Sequence, residues 1–245
     1  MGWGNKAWKW RSKLSTKIIA INEDMMKDFF YGMKEKTVQL PLGVDTTIFK
    51  PQTKDVILKK ELHINEDDFV IISVVNMVPV KGIEILLNAV RNIKDSKIKV
   101  FLIGNDKSEY VDHLKREYSE EQFVFLGKQL DVKPYLALAD VFVIPTKDEG
   151  RKEGMPIAPL EAMAMSIPVI GSRISGIKDV LKDYPELLFA PSDTSELKLK
   201  ILYIKSLSSQ NKLKLKEKIR NTVIENFSLE RFIKERENIY KKFSK

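Results

Sequence analysis

Between Asp68 and Ala190 the sequence alternates between short, almost wholly apolar runs and longer stretches with apolar positions at helical spacing. The runs are FVIISVV (69–75), IKVFLIG (98–104), FVFLG (123–127), VFVIP (141–145), PVIG (168–171) and ELLFA (186–190). They are rich in Val, Ile and Phe and lack the strict alternation of a half-exposed strand, so they predict strands buried on both faces. Helical patterns fall between them, at roughly 83–94, 108–117, 131–139, 156–165 and 175–182. Strands and helices taking turns at this spacing predict an α/β fold with a doubly wound parallel sheet. Such sheets bind ligands at the carboxyl ends of their strands, where the connecting loops gather.

The flanks read differently. KIIAI (17–21) predicts a strand, EDMMKDFFYGM (23–33) a helix, and KTVQLPLG (36–43) another strand ending in a glycine turn. Residues 51–67 predict a helix or an irregular connection without chemistry. Beyond Ser192 three helices are expected, at about 194–208, 210–226 and 228–243. Ser228 is placed to cap the last, with Arg231 rather than Glu in the capping-box position.

Composition narrows the picture. The 245 residues suffice for a real core, and 43% hydrophobic with 31% charged residues is a globular balance, not a disordered one. The absence of cysteine excludes disulfides and thiolate chemistry and fits a reducing, cytosolic compartment. The two histidines, His63 and His113, are far apart, which argues against a His-rich metal site. No apolar run is long enough to span a bilayer, and the N-terminus lacks the apolar stretch of a signal peptide.

The net charge of +8 is uneven. Residues 194–245 hold 14 Lys and Arg against 6 Asp and Glu, and the rest of the chain is balanced at 28 against 28. The first 17 residues add Trp3, Trp8 and Trp10 among five basic residues and no acid. Both ends therefore suggest an anionic membrane surface or an acidic partner.

The candidate chemistry lies in KDEGRKEG (147–154), which follows the strand VFVIP and leads into MPIAPLEAMAM. Pro156 suits a first helical turn. The free N–H groups and dipole of a helix start at the mouth of the sheet form an anion site suited to phosphate. Glu153 precedes that helix and Glu161 lies inside it; eight helical residues span about 12 Å. A ribose and a sugar joined by diphosphate are similarly separated, so each carboxylate can accept hydrogen bonds from hydroxyls on one side of the phosphates.

EGMPIAPLEAMAMSIPVIGSRISGIKDVL resembles the E-x7-E region of retaining GT-B glycosyltransferases, specifically glycosyltransferase family 4. LALADVFVIPTKDEG, LPLGVDTTIFKP (40–51) and VPVKGIEILLNAV (78–90) resemble that family's flanking blocks, in order, over about 40–190. The resemblance implies a Rossmann-like C-terminal domain of the GT-B fold that transfers a hexose from a nucleoside-diphosphate sugar to a glycan or lipid-linked acceptor. It assigns Glu161 to the ribose hydroxyls, Glu153 to the transferred sugar, and Lys81 to the diphosphate, where it stabilises the leaving group. The backbone of Gly154, Met155, Pro156 and Ile157 would line sugar and diphosphate. Gly43 would allow a close backbone approach near the cleft, and Lys128 would border the base. No Asp-x-Asp occurs, in keeping with a reaction that needs no metal or other cofactor.

Two departures stand out. Where the family has Gly-Arg, this chain has Val75 and Asn76, so the diphosphate meets a neutral side chain instead of a guanidinium fork. Weaker donor binding or a changed donor is expected, with Arg151, Lys152 and Arg173 as conceivable substitutes. The chain is also shorter than a complete GT-B enzyme. Residues 1–35 then read as the remnant of an N-terminal acceptor domain, 36–226 as the nucleotide-sugar domain and 227–245 as the crossover helix. A separate N-terminal-domain subunit is the implied partner, with a cytoplasmic location peripheral to the inner membrane face. The alternatives are a non-catalytic subunit of a two-chain transferase and a membrane-associated binding module. No G-x-G-x-x-G follows a strand, which disfavours nucleotide-cofactor oxidoreduction, and no nucleic-acid module is recognisable.

Overall fold

A computed structural model describes residues 10, 12–29, 31–149 and 154–242. Of the tryptophan-rich start, Trp3, Trp8, Lys6, Lys9 and Arg11 lie outside the described residues. The alternating block folds into a six-stranded sheet: β3 (Phe69–Val74), β4 (Ile98–Ile103), β5 (Phe123–Gly127), β6 (Val141–Ile144), β7 (Val169–Ser172) and β8 (Leu188–Phe189). All neighbours are parallel and the order is β5-β4-β3-β6-β7-β8. From β3 the chain winds outward to β5, then returns to place β6 on the other side of β3. This is the doubly wound α/β fold expected from the pattern.

Burial follows strand position. Nearly every residue of β3, β4, β6 and β7 is buried, in keeping with helices on both faces. β5 is the edge strand and buries only Phe123 fully. Helix α1 (Val56–Glu61) precedes β3, α2 (Ile83–Arg91) follows it, α3 (Glu109–Glu117) follows β4 and α4 (Lys133–Leu138) follows β5. Then come α5 (Ile157–Ala164) after β6 and α6 (Ile177–Val180) after β7. The tail supplies α7 (Thr194–Ser206), α8 (Ser209–Asn226) and α9 (Leu229–Lys241). α7 packs on α2 and α8 on α5, so two of the three tail helices belong to the core. Asp55, Ser108, Asp193, Ser208 and Ser228 cap their helices through side-chain oxygens.

The N-terminal flank departs from its expected shape. β1 (Ile18–Ala20) and β2 (Thr37–Gln39) pair in parallel as a separate two-stranded sheet. β2 is shorter than the run 36–43, because Pro41 has no N–H to continue the ladder. The expected α-helix over 23–33 is instead a π-helical turn, Met25–Phe29, followed by a 3-10 segment, Tyr31–Lys36. Met33 breaks helical geometry there at φ −134°, one residue after Gly32, whose backbone freedom weakens any helix.

A third joint closes the chain on itself. Val44 N–H donates to the Phe227 carbonyl (2.8 Å) and Leu229 N–H to the Val44 carbonyl (2.9 Å), a single parallel bridge.

Candidate functional site

The strand order reverses between β3 and β6, so the loops leaving their carboxyl ends flank the crevice where such sheets bind ligands. β3 runs through Asn76, which is exposed, into the 3-10 turn Pro79–Lys81 and then Gly82 in the left-handed region (φ +66°). A side chain at Gly82 is excluded twice, since a Cβ there would stand 2.2 Å from the Pro145 carbonyl oxygen. The two loops are fastened together. Lys147 N–H donates to the Val80 carbonyl (2.8 Å), and Lys147 Nζ lies 2.5 Å from the Glu84 carboxylate. Tyr110 donates its hydroxyl to the other Glu84 oxygen (2.5 Å); burial first, and then Glu84, push its pKa upward, so it stays a donor. Lys81 is thus carried, half-buried, on a turn held from three sides. At the ends of the same strands the hydroxyls of Ser73 and Thr146 are buried with no hydrogen-bond partner among the described residues, a rarity that concentrates attention on this crevice.

Across the crevice α5 begins. Pro156 is its N-cap (φ −70°, ψ 133°) rather than its first helical residue. Neither Pro156 nor Pro159 has an N–H, so the amides of Ile157 and Ala158 are the donors of the first turn that the helix cannot use. Met155 is buried and takes the Leu42 N–H on its sulfur (3.2 Å). Glu161 lies on the second turn of the helix, more than half withdrawn from water, and no described residue hydrogen-bonds its carboxylate. Desolvation raises its pKa, and the charge of Lys133 only partly opposes this. A buried, unpaired carboxylate costs stability, and such costs are typically retained where a ligand repays them.

The other expected residues fall as follows. Glu153, with Arg151 and Lys152, lies outside the described residues. Lys128 is exposed just after β5, in a loop ordered by Gln129, which donates to the Leu126 carbonyl (2.7 Å) and accepts from Tyr135 (3.0 Å). Arg173 sits 3.8 Å from Glu196 on α7. Gly43 is needed for a different close approach: a Cβ there would stand 2.8 Å from the Leu229 Cα and the Ser228 carbonyl, at the start of α9. A cavity of about 440 Å³ lies against that helix, and its lining, including Asp45, Thr47, Leu229 and Ile233, contains none of the expected donor residues.

The sequence reading missed Glu84, Asn22 and Asp179. Glu84 has a usable signal, since it stands in the first turn after the Lys-Gly pair. Nothing in the sequence shows that Asn22 reaches Gly154, 132 positions away. Among the described residues no group of three or more His, Asp or Glu converges as metal ligands, and no helix is long and apolar enough to cross a membrane.

Comparison with known proteins identifies the family and the fold. The family model described as "Glycosyl transferases group 1" matches residues 55–224. The chain is 30% identical over 189 residues to the N-acetyl-alpha-D-glucosaminyl L-malate synthase of Bacillus anthracis, covering 75% of this chain and 48% of that protein. It is also 30% identical, over 185 residues, to the UDP-Gal:alpha-D-GlcNAc-diphosphoundecaprenol alpha-1,3-galactosyltransferase of Escherichia coli, covering 70% of this chain and 46% of the other. The chain therefore spans about half the length of these relatives. Among solved structures, the Anabaena protein Alr3699/HepE in complex with UDP and glucose superposes with a TM-score of 0.83 at 18% identity, over 99% of this chain and 67% of that one. At that identity the likeness is one of fold.

Proposed function

The chain belongs to the glycosyl transferases group 1 family, and we propose that it is the donor-binding half of a retaining hexosyltransferase of glycosyltransferase family 4. The observation that carries this reading is Glu161: a desolvated carboxylate without a hydrogen-bond partner among the described residues, on the helix that starts at the switch point of a doubly wound sheet. Glu161 accepts hydrogen bonds from the donor's ribose hydroxyls. The Ile157 and Ala158 amides and Lys81 meet the diphosphate, Asn76 adds a neutral hydrogen bond, and Lys128 borders the base. The backbone of Gly154, Met155 and Pro156 lines the sugar, with Glu153 at its hydroxyls. The sugar's anomeric carbon exchanges its bond to the diphosphate oxygen for one to the acceptor hydroxyl's oxygen, the hydroxyl proton passes to the departing diphosphate, and Lys81 with the helix amides neutralises the charge that remains there. That assignment needs no metal ion or cofactor.

UDP is the first nucleotide to try, because the Escherichia coli relative's name specifies UDP-Gal and the Anabaena structure holds UDP. We assign the acceptor, a glycan or a lipid-linked glycan, to a second α/β unit beyond β1 and β2, on the same polypeptide or as a separate subunit. Two parallel strands of three residues each are too small a sheet to stand alone. The basic tail and the exposed Trp10 and Leu14 support attachment to an anionic membrane face on the cytoplasmic side. A second reading, a donor-binding subunit without turnover, is favoured by Asn76 standing where the family places a guanidinium.

Titration calorimetry tests the proposal. Heat with UDP or GDP, lost in Glu161→Ala, is expected. No heat with UDP-, GDP- or ADP-linked ligands at millimolar concentration ends it. Donor turnover with and without acceptor-domain protein separates the two readings, and sedimentation with anionic against neutral vesicles tests the membrane face.

A further inference from the structure

The turn after β1 leaves its small sheet and reaches the loop in front of α5. Asn22 is only 1% exposed, and both ends of its amide are engaged. Its Nδ2 donates to the Gly154 carbonyl (2.5 Å), and its Oδ1 accepts from the Met25 N–H (2.8 Å), which makes it the N-cap of the turn it opens. Ile21 presses on the same glycine, its Cδ1 lying 2.9 Å from where a Gly154 Cβ would stand. On the opposite side is Gly176, at φ +80°, where an added Cβ would come within 2.4 Å of the Gly154 carbonyl oxygen. The clasp is closed by Asp179, whose carboxylate accepts from Glu23 N–H (2.9 Å) and from Gly176 N–H (3.1 Å). Lys178 and Asp24 form an ion pair beside it (2.9 Å). The Gly154 peptide is therefore held between two elements that are remote in sequence, and its carbonyl is aimed by a side chain from outside the large sheet.

We propose that Asn22 is a positioning residue of the donor site, which sets the 154–157 backbone and so the affinity for the sugar-diphosphate part of the donor. The inference rests on the donor-binding reading above. Among the described residues Asn22 hydrogen-bonds neither Glu161 nor the loop after β5, so the nucleoside part of the ligand is left to groups that it does not steer. A buried amide bonded at both ends fixes what it touches more firmly than a solvated one, because no water competes for either bond.

The cap and the clasp can be separated by substitution. Asn22→Ser keeps an oxygen that caps the Met25 N–H but is too short, and has no amide, to reach Gly154. Its urea midpoint is expected to fall by no more than the loss of the single Gly154 bond explains, while hydrogen exchange of the amides in 154–160 accelerates without ligand. Affinity for UDP-glucose should fall about tenfold, the size of one net hydrogen bond, with affinity for UMP unchanged within about twofold. GDP-mannose against GMP is run in parallel as the second probe pair. Asn22→Asp, which keeps the cap and turns the donor into an acceptor facing the Gly154 carbonyl, should lose at least as much.

Unchanged exchange in both variants overturns the proposal, as does equal loss of nucleotide sugar and nucleoside monophosphate. If the unaltered chain binds neither probe pair, the donor reading has failed and this inference falls with it. Exchange, which needs no ligand, still reports whether Asn22 holds the loop, so the two failures are told apart.

Discussion

The protein contains two parallel sheets built on opposite terms. In the six-stranded sheet the central strands are buried on both faces and continuous with a single large core. In the two-stranded sheet Ile18, Ala20 and Thr37 are buried, with Met25, Met26 and Met33 packed around the two apolar ones. The first is stabilised by apolar area, at roughly 25 cal/mol per Å², and tolerates little change of shape. The second has too little area for that and is attached by polar groups, namely Asn22, Asp179 and the Asp24–Lys178 pair. Burial makes the scaffold, and directed hydrogen bonds join to it the part that must be set at an angle.

The contrast is sharpest in paired core truncations. Phe142→Ala, at the centre of β6, is expected to cost about 3–5 kcal/mol in urea unfolding of the whole chain. Ile18→Ala should cost no more than about 2 kcal/mol, with the loss confined in hydrogen exchange to residues 18–39. Equal global destabilisation by both would merge the two regions into one cooperative unit.

The junction comes next. Gly43→Ala forces a Cβ against the backbone at the start of α9, so a loss of about 1–3 kcal/mol is expected, with faster exchange in 229–241 and little change in 69–103.

Glu161 reverses the rule of the large sheet by placing a charge where area should be. Glu161→Ala should weaken nucleotide binding by about 1–3 kcal/mol in calorimetry. Because its folded pKa is raised, the native chain holds that proton more tightly than the unfolded one. Its contribution to stability therefore falls as pH rises from the ordinary carboxylate pKa to the raised value, while nucleotide affinity rises over the same interval as the carboxylate ionises. Urea midpoints and titrations between about pH 4 and 7 read the two opposed slopes, and Glu161→Gln should flatten both. Slopes of the same sign would end the assignment.

The smallest expected effect is Ser228→Ala, about 1 kcal/mol from a lost cap, seen as fraying of α9 alone.

Much of this was legible beforehand, for physical reasons that differ by region. Runs such as FVIISVV and VFVIP announce strands buried on both faces because nothing else tolerates so many adjacent branched side chains, and they became β3 and β6. Glu161 stood out through its place after a proline-started helix. The flank over 23–33 misled, because apolar spacing there is helical while Gly32 and the demands of packing Met25, Met26 and Met33 on a small sheet favour tighter and looser turns. Asn22 and Asp179 were hidden for another reason: each acts through a partner remote in sequence, and periodicity carries no information about such pairs. Gly43 was singled out for a close approach near the cleft; the chain that it approaches in the structure is the start of α9.

The bridge between Val44 and Ser228 also has a mechanical meaning. The chain enters the large domain at one of these residues and leaves at the other, running in the same direction at both. Tension applied to the two ends of the polypeptide would pull the paired segments along their length in opposite directions. Both hydrogen bonds would be loaded together in shear, with no strand peeling away bond by bond. Once past the clasp at residues 22–24, a force of that kind would load this clamp, and the six-stranded sheet behind it would feel little until the clamp gave way.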